Sequence, residues 1–169
     1  MTAWEGLEEM GFEDGKTYPD KTILVFGGAG GMGSMVILLA KKLFGLKVRW
    51  TCFLLEVIGT GSRAESEEAA KKYGADFVID HKKDLQEELK RVGIDGVDYI
   101  YNCYKDDEAT FSRFVPIINP EGKICLINAL DTALNLGGLF FKKVTIVLEY
   151  MLTRPISGVN MERQVTSCF

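Results

Sequence analysis

Short apolar runs alternate along the chain with stretches in which charged residues recur at helical spacing, and glycines punctuate the changes. Thr2 to Glu5 has capping-box spacing and is followed by apolar positions at Trp4, Leu7 and Phe12, which predicts a short opening helix closed by Gly15 and Pro19. Ile23 to Phe26 is too short for a buried helix and reads as a strand. A glycine loop follows, then SMVILLAKKLF, a helix running to Gly45. The same punctuation repeats downstream. AESEEAAKKYG is a helix closed by Gly74, Phe77 to Asp80 a strand, and KKDLQEELKRVG a helix closed by Gly93. Val97 to Cys103, Lys123 to Asn128 and the run KVTIVLEYML read as further strands, with DEATFSRFV a helix between the first two. Strands that alternate with helices require crossover connections, hence parallel pairing. The expected fold is α/β: a doubly wound open sheet of about six parallel strands with helices on both faces.

Composition narrows the function more than the fold. A chain of 169 residues with 47% hydrophobic content can bury one core, so a single unit is expected. Residues 1–20 form a lead-in that packs on the unit formed by 21–169. The net charge of −4 leaves no basic excess for a nucleic-acid backbone. The opening MTAWEGLEEMGFEDG lacks the basic start and apolar run of a secretory leader, and no apolar stretch is long enough to span a bilayer; a cytoplasmic protein is expected. Cys52, Cys103, Cys125 and Cys168 are dispersed, and His81 is the single histidine. Neither a zinc site nor a disulfide framework is expected from that spacing.

The segment VFGGAGGMG places Gly28, Gly30 and Gly33 in G-x-G-x-x-G spacing, with Gly31 and Met32 between the last two, after a strand and at the mouth of a helix. In such a loop the first glycine allows a tight turn, the second lets the backbone approach a pyrophosphate, and the third lets the helix pack on the strand. The helix N-terminus adds free N–H groups and a partial positive charge. A dinucleotide site is the expectation.

Which dinucleotide depends on where the second strand ends. Spacing alone favours Glu56, a carboxylate positioned to accept from an adenosine ribose and so to select NAD(H). Yet VRWTCFLLEVIGTG is longer than an ordinary strand, and its second half ends in a small-residue turn before Ser62 and Arg63. Both endings fit the pattern.

The glycine loop, KKYGADFVIDH, GKICLIN and GTGSR together resemble the medium-chain dehydrogenase/reductase superfamily, and within it the zinc-type alcohol dehydrogenase-like and quinone oxidoreductase branch, which typically lacks catalytic zinc. The resemblance runs from Thr2 to Pro155. It implies that Ser62 and Arg63 hold the adenosine 2′-phosphate, hence NADP(H), and that Arg49 to Val57 is an insertion within the second strand. A guanidinium suits a phosphate, and no carboxylate sits in the turn to repel it. The family's GroES-like catalytic domain is absent from this sequence, so the resemblance implies the cofactor half of a cleft. It also implies NADPH-dependent reduction of a quinone, enone or carbonyl, and a homodimer formed through the edge strand Lys142 to Leu152. The alternative is a non-catalytic binding or dimerisation module, which the divergent tail VNMERQVTSCF also fits.

Other residues stand where ligands lie in such sheets. Asn102, Cys103 and Tyr104 follow one strand and Asn128 another, and all are candidates for the nicotinamide side of the cleft. His81 ends the third strand, near the expected adenine. Tyr101 and Lys105 spell Y-x-x-x-K, but that pair performs proton transfer on a helix, and here it starts at the end of a strand. The acidic runs Glu65 to Glu68 and Asp106 to Glu108 read as solvated helix starts.

Overall fold

The computed structural model describes residues 1–13, 16, 18–44, 55–130 and 133–159. Helix α1 spans Thr2–Glu9 and strand β1 Thr22–Phe26; α2, Gly31–Leu39, continues into a π-helical turn, Ala40–Phe44. Next come β2 (Glu56–Thr60), α3 (Ala64–Tyr73), β3 (Phe77–Ile79), α4 (Leu85–Arg91) and β4 (Val97–Asn102). The chain continues through α5 (Glu108–Phe111), β5 (Ile118–Leu126), α6 (Gly137–Phe140), β6 (Thr145–Leu148) and α7 (Thr153–Ser157). The strands form one parallel sheet in the order β3-β2-β1-β4-β5-β6. The order reverses at β1, which creates a crevice beyond the carboxyl ends of β1, β2 and β4.

Every residue of β1 is buried, because helices cover both faces of the sheet. Ile23 and Val25 face Leu7, Met10, Phe12, Val36 and Ile37, while Leu24 and Phe26 face Leu85, Leu89, Phe111 and Phe114. Alternation along one strand thus joins two cores. Local chemistry sets the helix ends: Asp84 accepts from Glu87 N at 2.9 Å, Asp107 accepts from Thr110 N at 2.8 Å, and Gly74 closes α3 with φ +109°.

Several boundaries differ from the pattern-based expectation, among them the start of β5, which lies at Ile118 rather than Lys123. Met1 takes the N-cap position of α1 without a side-chain cap, so the Thr2–Glu5 capping box does not form; both residues lie inside the helix, and Glu5 faces Arg154 at 3.2 Å. The helix expected across DEATFSRFV is limited to Glu108–Phe111. The edge strand expected over 142–152 covers only Thr145–Leu148, after which the chain turns into α7. Most of the insertion, Cys52, Cys168 and all of the tail beyond Val159 lie outside the described residues.

Candidate functional site: the crevice at the switch point

The second strand begins, rather than ends, at Glu56. Glu56 is its first residue and pairs with Thr22, whereas Val25 pairs with Gly59. The carboxylate therefore stands at the amino end of the sheet, opposite the crevice. The strand ends at Thr60, and Gly61, Ser62 and Arg63 turn directly into α3.

The glycine loop occupies the crevice floor. Gly27, which spacing did not single out, takes the left-handed turn with φ +84°; its N–H donates to Thr60 Oγ1 at 2.8 Å, and a Cβ there would sit 3.1 Å from the Cys103 carbonyl. The left-handed conformation thus belongs to Gly27, while Gly28 and Ala29 are the central residues of the turn that Gly30 N closes on Gly27 O. Gly28 also lets the loop approach β2, where a Cβ would meet Gly59 Cα and Thr60 N at 3.1 Å. Gly33 holds α2 against the loop: a Cβ would collide with Gly27 O and lie 2.7 Å from Gly28 Cα. Gly30 is the N-cap of α2 and its N–H donates to Gly27 O at 3.0 Å. The amides of Gly31, Met32 and Gly33 precede the first internal bond of the helix, Ser34 N to Gly30 O at 2.9 Å. Gly31 has open space around it, and the Met32 side chain packs toward the first core, so both would serve through backbone amides.

Two adjoining clefts flank Gly61. One, of about 210 Å³, is lined by Gly27, Gly30, Thr60, Ser66, His81, Cys103 and Tyr104. The other, of about 310 Å³, is polar and is lined by Ser62, Arg63, Asp80, Lys83 and Arg91, with Glu67 and Glu88. Arg63 is exposed and has no ion-pair partner among the described residues, whereas Arg91 is held by Glu88 at 3.0 Å and Glu67 by Lys71 at 2.7 Å. A free guanidinium at a helix start is suited to an incoming anion.

The polar residues at the ends of β4 and β5 divide differently. Asn102 is 1% exposed; its amide nitrogen donates to Lys105 O at 2.8 Å and to Asp106 Oδ1, and its oxygen accepts from Tyr104 N at 3.2 Å. Expected at the cleft wall, it instead fastens the loop behind it. Asp106, read in sequence as part of a solvated run, is 8% exposed and accepts from Asn128 N at 2.8 Å. Burial raises its carboxyl above the ordinary range against the pull of these donors. Asn128 Nδ2 donates to Tyr104 O at 2.7 Å, and the residue borders a separate apolar hollow of about 580 Å³ with Leu126, Leu148, Glu149 and Tyr150. The site candidates thus gather in two places rather than one. His81, the glycine loop and Cys103 share the first cleft with Ser62 and Arg63 next door, while Asn128 belongs to the hollow.

Burial and the nearby Asp106 push the Cys103 thiol up to about 12, so it stays protonated beside His81. Tyr101 is buried, its hydroxyl donates to Thr2 O at 2.7 Å, and its phenol is pushed far above the usual range by desolvation. With Lys105 exposed in the following loop, the Y-x-x-x-K spacing brings no proton-transfer pair together. Among the described residues no cluster of His, Cys, Asp or Glu could hold a metal ion, and no helix is long and apolar enough to cross a membrane.

An open parallel sheet with this strand order, a glycine loop at the switch point and a helix N-terminus aimed into the crevice define a Rossmann-type dinucleotide-binding domain. Residues 31–161 match the model of the zinc-binding dehydrogenases, and the chain belongs to that family, as a cofactor-binding domain of the medium-chain dehydrogenase/reductase superfamily. A zinc-type alcohol dehydrogenase-like protein of Staphylococcus epidermidis is 38% identical over 136 residues, covering 80% of this chain and 37% of that protein. The 2-methylene-furan-3-one reductase of Solanum lycopersicum is 33% identical over 161 residues, covering 92% of this chain and 36% of the reductase. The crystal structure of a putative zinc-dependent alcohol dehydrogenase from Rhizobium etli superposes with a TM-score of 0.76 at 32% identity, covering 94% of this chain and 44% of that one. The chain therefore spans a little over a third of the curated relatives it matches.

Proposed function

We propose that this chain binds NADP(H) and forms the cofactor half of an oxidoreductase that reduces a quinone, an enone or another activated carbonyl compound. The reading is carried by one juxtaposition: the glycine cradle and Arg63, which has no ion-pair partner among the described residues, lie at the same end of the sheet, and Glu56 stands at the other. When bound, the reduced nicotinamide supplies a hydride to the electrophilic carbon of the acceptor. The residues of this chain bind and orient. The amides of Gly31 to Gly33 receive the pyrophosphate at the positive end of α2, and Ser62 with Arg63 receives the adenosine 2′-phosphate. The tomato relative is named for reducing a conjugated ketone, which favours an activated alkene as the acceptor class.

Calorimetric titration with NADPH and NADH tests this reading. NADPH is expected to bind at least tenfold more tightly, and Arg63→Glu to abolish the difference by placing a carboxylate against the phosphate. Equal affinity of the parent chain for both cofactors, or an NADPH preference that survives Arg63→Glu, overturns the assignment. The second reading, a non-catalytic dimerisation module, draws on the apolar surface beside β6, where Phe141 is 88% and Leu148 68% exposed. NADPH oxidation with a panel of quinones and enones separates the two.

A further inference from the structure

We propose, resting on the dinucleotide reading above, that Asp106 is a positioning residue: its ionised carboxylate, acting through Asn102 and Asn128, holds Tyr104 in place as a wall of the dinucleotide cleft. Tyr104 lines that cleft, with its ring 6.1 Å from Phe26 and 6.1 Å from His81. Its N–H donates to Asn102 Oδ1 at 3.2 Å, and its carbonyl accepts from Asn128 Nδ2 at 2.7 Å. Both asparagines are in turn held by one carboxyl group. Asn102 Nδ2 donates to Asp106 Oδ1, and the backbone N–H of Asn128 donates to Asp106 Oδ2 at 2.8 Å. Asp106 thus grips Tyr104 at two points without lining the cleft itself. The start of the loop is fixed separately, by Cys103 N donating to Phe26 O at 2.8 Å, so release of the grip frees Tyr104 and Lys105 and leaves β4 in place.

The network accepts only a carboxylate. Each oxygen of Asp106 serves one donor. A neutral amide or a protonated carboxyl in its place turns one of those oxygens into a donor and sets it against an N–H. Turning the Asn102 amide over gives no relief, because Oδ1 would leave Tyr104 N and Nδ2 would leave Lys105 O, to which it donates at 2.8 Å. The groups that face Asp106 bring no compensating cation: the Cys103 thiol from the loop and the Cys125 thiol from β5 are neutral, and Lys105, Asp107 and Glu108 flank it in sequence without an ion pair to it among the described residues. Burial therefore outweighs the pull of the donors and holds the carboxyl above its ordinary range. Such a group takes up its proton at a pH where an exposed carboxylate is still charged. Once it does, only the fraction of molecules that keep Tyr104 in place binds the cofactor, and apparent affinity falls by that fraction.

Amide NMR of the free chain reads the grip without any cofactor. The Tyr104 and Asn128 amide signals are expected to shift together on acidification, with one midpoint above the ordinary carboxylate range. Calorimetry with NADP+ and NAD+, the acid-stable oxidised forms, reads the consequence. Asp106→Asn is expected to stay folded in thermal denaturation and to bind each cofactor about tenfold more weakly than the parent near pH 8. The ratio of parent to variant affinity, in which titration of the ligand cancels, should fall toward one as pH drops through the amide midpoint. Adding Asn102→Asp to Asp106→Asn returns the missing acceptor and should recover about threefold of the loss. A merely structural Asp106 would lower the melting temperature and leave the affinity ratio at one. Amides without a common midpoint, a ratio of one near pH 8, or a ratio that does not change with pH each overturn the proposal. Should Asp106→Asn fail to fold, the parent decides, and an NAD+ affinity that stays flat through the amide midpoint overturns it. If neither cofactor binds the parent while the two amides titrate together, the dinucleotide reading itself has failed and takes the positioning role with it.

Discussion

At the scale of single residues, the glycines of one loop have unequal roles. Gly33→Ala would drive a methyl group into Gly27 O and Gly28 Cα, atoms of the backbone that cannot swing aside. The helix must then shift away from the loop, so we expect a loss of about 2–4 kcal/mol of stability and of measurable cofactor binding. Gly31→Ala meets nothing within 4 Å. It should leave binding unchanged and gain up to about 0.5 kcal/mol through helix propensity. Thermal denaturation and titration of both variants check the pair, and equal behaviour would refute the steric argument. The motif was legible in the sequence because glycine spacing records backbone contacts. The division of labour was not, since Gly27 stands outside the spacing and only the pairing of β1 with β2 and β4 shows what presses on it. Asp106 was hidden for another reason: three consecutive acids look like a solvated helix start, and the first is tied in by Asn102, the last residue of β4, and by Asn128, which follows β5 and is brought to it only by the pairing of the two strands.

At the scale of elements, helix assignments were legible wherever a glycine or a charged face marked the boundary, as at Gly74. The start of β2 was not, because a strand buried on both faces has no alternation to distinguish it from the apolar run before it. The junction of α1, β6 and α7 was invisible for the same kind of reason, since it joins opposite ends of the chain. There Arg154 meets Glu5 at 3.2 Å, Glu9 at 3.1 Å and Glu8 at 3.8 Å, and Glu149 is buried beside them. One guanidinium among four carboxylates leaves an acidic surplus. Burial first, and the Glu5 carboxyl second, push Glu149 up to about 7, while Arg154 acts against them. A carboxyl whose folded value lies above its ordinary 4.5 contributes stability that is complete below that value and is lost as pH rises through about 7. Glu149→Gln cannot ionise. It should match the parent near pH 4.5 and exceed it by about 1–2 kcal/mol at pH 8. Urea denaturation at the two values checks this, and a constant difference between them would show that Glu149 does not titrate in the folded chain.

At the scale of the whole molecule, the sheet has two edges of different character. β3 is a short strand with charged residues just beyond it, a common way to discourage pairing. β6 also ends the sheet, but Leu148 at its end is 68% exposed, and Phe140, Phe141, Tyr150 and Ile156 add apolar surface nearby. Apolar side chains beside open backbone groups favour pairing with another strand, and a second copy of the same edge satisfies both through an isologous contact. The expected species is a homodimer, with twice the 18.8 kDa mass of the chain in sedimentation equilibrium. Leu148→Asp would bring two carboxylates together across the dyad and should raise the dissociation constant at least about a hundredfold, since like charges at an interface core cost several kcal/mol. Because Leu148 is exposed in the monomer, the same change should leave its thermal stability within about 0.5 kcal/mol. That separation is decisive. A monomeric parent removes the edge as an interface, a dimer untouched by Leu148→Asp moves the contact elsewhere, and a variant that dissociates while keeping its fold places the dyad at β6.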